Sequence, residues 1–248
     1  MLRPLTLGIA LCLATTTARA DEALIAVAAN FAGAVEAIGA QFTKDTGHTL
    51  LITTGSTGKL YAQIAEGAPF AVMLSADAKT PARIEAEGLG VAGSSFTYAI
   101  GQLSLYSSDP DRIGTDAKAA LTAADTLFIA IANPDLAPYG IAAQEVMQAL
   151  GVWDAVQPKI VMGENIGQAF SMVDTGAAQV GFVATSAIHE NAGKGGHLDI
   201  PQDMFTPIRQ DAVLLLPGAD NPAAIAFMDY LKGDTAKAIA QTHGYGTE

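Results

Sequence analysis

The chain has few of the residues that carry most metal and thiol chemistry. Of its 248 residues, one is cysteine and four are histidine. Cys12 lies in an amino-terminal segment that we expect to be removed, so the mature protein can form no disulfide and has no thiol. The histidines are scattered, with no spacing typical of metal ligands. These absences predict that the protein has no cofactor and that its hydrophobic core holds it together.

The amino terminus has the pattern of a secretory signal peptide. Arg3 precedes a short apolar stretch over residues 5–13, and Ala18-Arg19-Ala20 forms an A-x-A cleavage site. The apolar stretch is too short to span a membrane. We therefore expect residues 1–20 to be removed, a mature chain that begins near Asp21, and a periplasmic location.

Positive charge is also scarce. The whole chain has 13 basic and 25 acidic residues, and removal of Arg3 and Arg19 leaves 11 basic residues and a net charge of −14. This balance argues against nucleic acids and anionic membrane surfaces as partners. If the protein binds an anion, neutral donors and local dipoles must hold it.

Apolar runs alternate with helical patterns along the chain. Residues 24–29 and 70–74 are typical of buried parallel strands, whereas Phe31, Val35 and Ile38 recur at the spacing of one helix face. The strand–helix–strand order predicts an α/β fold in which mainly parallel sheets are flanked by helices.

The alternation occurs in two cycles, which predicts two lobes with a ligand in the cleft between them. We expect lobe 1 to comprise residues 21–103, with residues 208–248 returning to it, and lobe 2 to comprise residues 104–207. Residues 98–106 are expected to form one long strand, and residues 189–207 a polar, glycine-rich region. Ligands in such α/β layouts bind beyond the carboxyl ends of the strands.

The turn at residues 55–58 connects a β-branched strand to an amphipathic helix. Ser56 or Thr57 can cap the first unpaired N–H groups of that helix. The same N–H groups, at the positive end of the helix dipole, can bind an anion. Gly58 would allow a ligand to approach the backbone without an intervening Cβ. An ordinary helix cap that binds nothing is the alternative interpretation.

Three further strand-to-helix junctions carry small polar residues or free helix N-termini: Ala29-Asn30, Pro138-Tyr139 and Asn165-Ile166. If the lobes face each other, the four junctions meet and supply main-chain N–H groups, hydroxyls and the Asn30 amide. A fully ionised tetrahedral oxyanion suits this set because it only accepts hydrogen bonds. Asn30 and Asn165 also fit simple helix caps, Tyr139 could simply pack in its loop, and Lys59 is expected to be solvated.

The enzyme motifs that the chain approaches are incomplete. Residues 55–59 lack the first glycine of a Walker loop, and Leu60 stands where Ser or Thr is required. A secreted hydrolase with Ser56 or Thr57 as nucleophile would lack a base and an orienting partner. The sensing half of a transcription regulator would require a DNA-binding module, and the acidic composition argues against it.

A set of short motifs occurs in one order along the chain: Ala28-Ala29-Asn30-Phe31, Gly55-Ser56-Thr57-Gly58-Lys59-Leu60, Leu74-Ser75-Ala76-Asp77, Pro138-Tyr139-Gly140, Leu150-Gly151-Val152-Trp153 and Gly181-Phe182-Val183. With these motifs the chain resembles the periplasmic molybdate-binding proteins of ABC importers over essentially all of its mature length. The resemblance implies a two-lobed type II periplasmic-binding-protein fold, a monomer without enzymatic activity that closes around molybdate or tungstate, and a membrane permease as partner. Another oxyanion, such as sulfate, is the alternative ligand.

The resemblance also implies the ligand contacts, with molybdenum present only in the bound oxyanion: Asn30, Thr57, Tyr139 and Ile166, with Ala29 and Ser56 adjacent. Family members often have serine at the position of Asn30, although an Asn-containing branch exists, and serine is usual at the position of Thr57. Some members place a ligand-binding tyrosine where this chain has Ala184. The likeness to the Asn-containing branch implies that Tyr139 supplies that hydroxyl from the opposite junction.

Overall fold

The structure is a computed structural model that describes residues 20–191 and 195–247. Apart from Ala20, the expected signal peptide, including Cys12, lies outside the described residues. Within these two ranges no helix combines the length and apolar composition that a membrane crossing requires. The backbone builds two five-stranded sheets, each flanked by helices.

The first sheet contains five strands: β1 (Glu22–Ala28), β2 (Thr49–Gly55), β3 (Val72–Leu74), β4 (Phe96–Gly101) and β10 (Ile208–Leu214). Their order across the sheet is β2-β1-β3-β10-β4. Strand β1 is parallel to β2 and β3, whereas β10 is antiparallel to β3 and β4. The central strands β1 and β3 are largely buried on both faces, which accounts for their continuous apolar sequence.

Helices cover both faces of this sheet: α1 (Ala32–Thr46), α2 (Thr57–Ala65), α3 (Lys79–Ala86), α9 (Pro222–Lys232) and α10 (Asp234–Thr242). Ile25 and Val27 belong to the core under α1, α9 and α10, whereas Ala26 belongs to the core under α2 and α3. This alternation follows from the two-residue period of a strand, which points successive side chains to opposite faces.

The second sheet also has five strands: β5 (Leu103–Ser107), β6 (Ile129–Ala132), β7 (Ile160–Gly163), β8 (Val180–Ala184) and β9 (Gly196–Asp199). Their order is β7-β6-β8-β5-β9, with β6 parallel to β7 and β8, and β5 antiparallel to β8 and β9. The helices of this part are α4 (Ala117–Thr122), α5 (Pro138–Ala149), α6 (Trp153–Val156), α7 (Ile166–Asp174) and α8 (Thr185–Glu190).

The expectation of one long strand over residues 98–106 is wrong. The chain forms β4 up to Gly101 and β5 from Leu103, and the two strands belong to different sheets. Gly101 pairs with Ile208 in the first sheet, whereas Leu103 pairs with Ala184 in the second. The sequence is extended throughout, so only the partner strands reveal where the chain crosses from one sheet to the other.

The polar, glycine-rich region over residues 189–207 contains strand β9, which pairs with β5 in spite of its polar sequence. Helix α3 begins at Lys79, two residues ahead of Pro81. The Asp77 carboxylate accepts a hydrogen bond from the Thr80 N–H at 2.7 Å, so the first turn forms ahead of the proline.

The C-terminal helices return to the first sheet, as expected. Asn221 caps α9 by accepting a hydrogen bond from the Ala224 N–H at 3.1 Å. The ring of Phe42, on α1, lies 5.4 Å from that of Phe227 and 5.3 Å from that of Tyr230, both edge-on. These aromatic pairs join the amino-terminal and carboxyl-terminal parts of the chain in one core.

We predict that Phe42→Ala lowers the free energy of unfolding by about 3–5 kcal/mol, because Phe42 is fully buried and its removal opens a cavity beside the buried ring of Phe227. Leu51→Ala is the matched control: Leu51 is 49% exposed, and its truncation should change stability by no more than about 0.5 kcal/mol. Urea unfolding of the unliganded protein measures both. A cost below about 1 kcal/mol for Phe42→Ala would contradict the joined core.

Candidate functional site

The four predicted junctions meet at one small cavity. The first two lie after β1 and β2 of the first sheet, and the other two lie at the N-termini of α5 and α7 beside the second sheet. All six residues expected to contact a ligand line this cavity: Ala29, Asn30, Ser56, Thr57, Tyr139 and Ile166. The structure therefore brings together residues that are distant in sequence.

Ser56 and Thr57 are held as hydrogen-bond donors at the start of α2. The Ser56 hydroxyl accepts from the Lys59 N–H at 3.4 Å and so caps the helix. The Thr57 hydroxyl accepts from the Ala76 N–H at 3.1 Å. Both side chains are buried, and among the described residues neither hydroxyl donates a hydrogen bond to the protein. Each hydroxyl hydrogen is thus left for a group within the cavity.

Tyr139 is the third hydroxyl of the cavity and is only 1% exposed. Its oxygen accepts a hydrogen bond from the Gln210 side-chain amide at 3.3 Å. In the described part of the chain it donates none. Burial raises the pKa of Tyr139 well above its ordinary value, so the hydroxyl keeps its hydrogen at all physiological pH values.

The interpretation of Asn30 as a helix cap is wrong. A short 3₁₀ turn at Ala29–Phe31 precedes α1, and the Asn30 side chain makes no cap hydrogen bond. Its amide nitrogen instead donates to Gln210 Oε1 at 2.8 Å and to the Tyr245 hydroxyl at 3.3 Å. These tertiary partners compete successfully with a local cap.

The fourth junction behaves as expected from its sequence. Asn165 caps α7 by accepting from the Gln168 N–H at 3.0 Å. The Ile166 side chain is buried, and its main-chain N–H lies in the first helical turn, where the helix itself offers no acceptor. The N–H groups of Thr57 and Tyr139 occupy the same kind of position in their helices.

No charged side chain is found among the described residues that line the cavity. The arrangement offers hydroxyl and main-chain N–H donors together with the positive ends of three helix dipoles, α2, α5 and α7. Neither the Ser56 nor the Thr57 hydroxyl is hydrogen-bonded to a histidine or a carboxylate in the described ranges. The site is chemically suited to hold a small anion and lacks the geometry of an activated nucleophile.

Contacts across the cleft hold the two halves together at this cavity. The Gly58 N–H donates to the Leu136 carbonyl at 2.9 Å, and a Cβ on Gly58 would lie only 3.3 Å from the Leu136 backbone. The absent side chain therefore admits the opposite half of the protein rather than a ligand. Lys59, expected to be solvated, is half exposed but pairs with Glu164 across the cleft at 2.7 Å.

Four residues next to the cavity were not predicted from the sequence: Tyr98, Ser186, Gln210 and Tyr245. Gln210 is fully buried on β10, between the buried residues Ile208 and Ala212. Because side chains alternate along residues 208–212, this pattern is the sequence signal that would have placed Gln210 on the inner face of the strand. Tyr245 lies beyond α10, where the sequence has no comparable signal.

Comparison with known proteins agrees with this architecture. The family model for bacterial extracellular solute-binding proteins matches residues 23–246. The chain is 49% identical over 231 residues to the molybdate-binding protein ModA of Rhodobacter capsulatus, covering 93% of this chain and 90% of the relative. It is 47% identical over 234 residues to ModA of Azotobacter vinelandii, covering 93% and 92%.

The solved periplasmic molybdate-binding protein of Azotobacter vinelandii superposes with a TM-score of 0.86 at 40% identity, covering 91% of this chain and 99% of that one. This likeness confirms the expected two-lobed type II fold. The relatives are binding proteins, which agrees with the expectation that the chain is not an enzyme. The chain belongs to the bacterial extracellular solute-binding protein family.

Proposed function

We propose that this protein captures molybdate in the cavity between its two lobes and delivers it to the membrane permease of an ABC importer. Two relatives that are nearly half identical over almost the whole chain carry the name molybdate-binding protein, which supports this ligand. Asn30, Ser56, Thr57, Tyr139 and Ile166 are the proposed contacts, with Ala29 beside them. Tungstate, a tetrahedral dianion of the same kind, should bind the same donors.

The observation that carries the proposal is that the protein donates a hydrogen bond to each of the three hydroxyl oxygens. The oxygens of Ser56, Thr57 and Tyr139 each accept a hydrogen bond from the protein, so their hydrogens are available to a ligand that only accepts. Main-chain N–H groups at the starts of α2, α5 and α7 add to this set. A fully ionised tetrahedral oxyanion can satisfy all these donors at once.

Two related anions should be rejected for different reasons. Phosphate at neutral pH carries a hydroxyl hydrogen, and a site composed of donors leaves that hydrogen without an acceptor. Sulfate has the same charge and hydrogen-bonding capacity as molybdate but a smaller radius. A rigid ring of donors adjusted to the larger anion cannot contact all four sulfate oxygens together.

Delivery requires an open form and a closed form. We propose that lobe 1 comprises residues 21–103 and 208–248, that lobe 2 comprises residues 104–207, and that the chain bends where it crosses between them. The closed lobes would then dock as a monomer on the permease at the outer face of the membrane, after removal of the signal peptide. The donor set is divided between the lobes, so only the closed form can surround the anion.

The first test is ligand stabilisation. Molybdate at one hundred times its Kd should stabilise the folded protein by about 2.7 kcal/mol and raise the melting temperature accordingly. Sulfate and phosphate at the same concentration should produce no comparable shift. Titration calorimetry with all three anions and tungstate checks the order of affinity. Equal shifts with sulfate and molybdate would overturn the argument from size.

The second test removes one donor. Tyr139→Phe should weaken molybdate binding by about 1.5–3 kcal/mol, because the hydroxyl contacts a charged acceptor. Tyr230→Phe is the matched control. The Tyr230 hydroxyl donates to the Asp45 carboxylate at 2.7 Å. Burial and this hydrogen bond raise the pKa of Tyr230 to about 12. Calorimetry should find the control unchanged. An unchanged affinity for Tyr139→Phe would mean that the hydroxyl makes no ligand contact.

The third test concerns closure. Small-angle X-ray scattering should show a smaller radius of gyration with molybdate than without it, because the anion binds donors of both lobes. Sulfate at equal concentration serves as the control and should leave the scattering curve unchanged. Identical curves with and without molybdate would favour a preformed pocket.

A further inference from the structure

We infer that Gln210 is a positioning residue that turns the Tyr139 hydroxyl of one lobe toward the bound oxyanion and holds it next to Asn30 of the other lobe. This inference rests on the proposed function, since it concerns how the donor set for that anion is held. Gln210 itself does not line the cavity, and its side chain has no exposed surface.

The Gln210 amide bonds to both halves of the site. Its oxygen accepts from Asn30 Nδ2 at 2.8 Å and from the Tyr98 hydroxyl at 3.0 Å. Its nitrogen donates to the Tyr139 hydroxyl oxygen at 3.3 Å. Both acceptor positions of the amide oxygen are thereby used, which leaves the nitrogen to face Tyr139. One side chain thus fixes the orientation of Asn30, after β1, and of Tyr139, on α5.

This arrangement determines the role that the Tyr139 hydroxyl can play. A hydroxyl has one hydrogen to donate, and the Gln210 N–H already occupies part of its acceptor capacity. The Tyr139 hydrogen must therefore point away from Gln210 and toward the cavity. A side chain at position 210 that accepted a hydrogen bond from the Tyr139 hydroxyl would have the opposite effect, because it would take that hydrogen from the ligand.

The backbone around Gln210 is adapted to this contact. A Cβ on Gly101 would lie 2.3 Å from the Tyr139 hydroxyl oxygen and 2.6 Å from Gln210 Nε2, so glycine is what admits the pair. The pairing of β10 with β4 shifts by one residue between Gln210 and Asp211, opposite Tyr98. A bulge of this kind re-aims neighbouring side chains and is typical next to functional sites.

The test compares two variants at position 210 in titrations with molybdate. Gln210→Met keeps the size of the side chain but removes both hydrogen-bonding functions, and it should weaken binding by about 10–100-fold, as loss of the outer partners of ligand contacts does at metal sites. Gln210→Glu distinguishes positioning from packing. Its neutral carboxyl group can accept from Asn30 and donate to Tyr139 as the amide does, whereas its ionised form only accepts and adds a negative charge beside the anion.

The affinity of Gln210→Glu relative to wild type should therefore rise as the pH falls from 8.5 to 6, by up to about tenfold per pH unit, because binding is linked to uptake of one proton. Burial raises the pKa of an introduced carboxyl group into this range. The native titratable groups around the amide are Tyr98, Tyr139 and Tyr245, whose pKa values burial raises, so they stay neutral throughout. The native carboxylates that act on these tyrosines are Asp77 and Asp211 at Tyr98 and Glu190 at Tyr245, and all three are present in every variant.

Controls separate the possible failures. Gln41→Glu adds the same charge at a partly exposed position of α1 and should leave the pH profile of binding unchanged from that of the wild type. If Gln210→Met does not fold, Gly101→Ala provides the test instead. This substitution perturbs the Gln210–Tyr139 contact without altering the amide, and it should also weaken binding. Wild-type affinity in Gln210→Met, or an affinity of Gln210→Glu that does not change with pH, would overturn the inference and leave the proposed function standing. Failure of the wild-type protein to bind molybdate would overturn the proposed function and the inference with it.

Discussion

The site depends on one constraint: an ionised oxyanion can only accept hydrogen bonds, so every polar group around it must donate. A hydroxyl satisfies this requirement only if the protein occupies its acceptor side. The Lys59 N–H, the Ala76 N–H and the Gln210 amide do so for Ser56, Thr57 and Tyr139, respectively. The fold therefore does more than place three hydroxyls near one another, since it also sets the direction of each hydrogen.

The same constraint couples binding to the relative position of the lobes. Helix N-termini carry partial positive charge, so the starts of α2, α5 and α7 repel one another when brought together without an anion. An anion reverses the sign of this interaction. Direct contacts also join the two halves: the Gly58 N–H donates to the Leu136 carbonyl, and the Ser186 hydroxyl donates to the Asn30 carbonyl at 3.2 Å. In the proposed mechanism, a dianion supplies the free energy that makes closure favourable.

The sequence predicted what local chemistry determines and missed what distant partners decide. Strand-to-helix junctions are visible locally, because an apolar run, a capping residue and an amphipathic pattern are contiguous in sequence. The local pattern suggested that Asn30 caps a helix, yet its amide bonds to Gln210, which is 180 residues away. Residues 98–106 are extended throughout, and only strand pairing reveals the crossing near Gln102. The polar sequence of β9 likewise becomes a strand because β5 offers it an edge.

Among the described residues, none that lines the cavity is charged, and under the proposed function this explains how a chain with 25 acidic residues can hold an anion selectively. A lysine or arginine in the cavity would attract molybdate, sulfate and phosphate alike, because each carries negative charge. Neutral donors act over short distances and only in the correct direction, so they distinguish anions by radius and by protonation. The nearby charges of Lys59 and Glu164 form a pair and largely cancel. Because burial also keeps the Tyr139 hydroxyl protonated, the donor set stays the same over the whole physiological pH range.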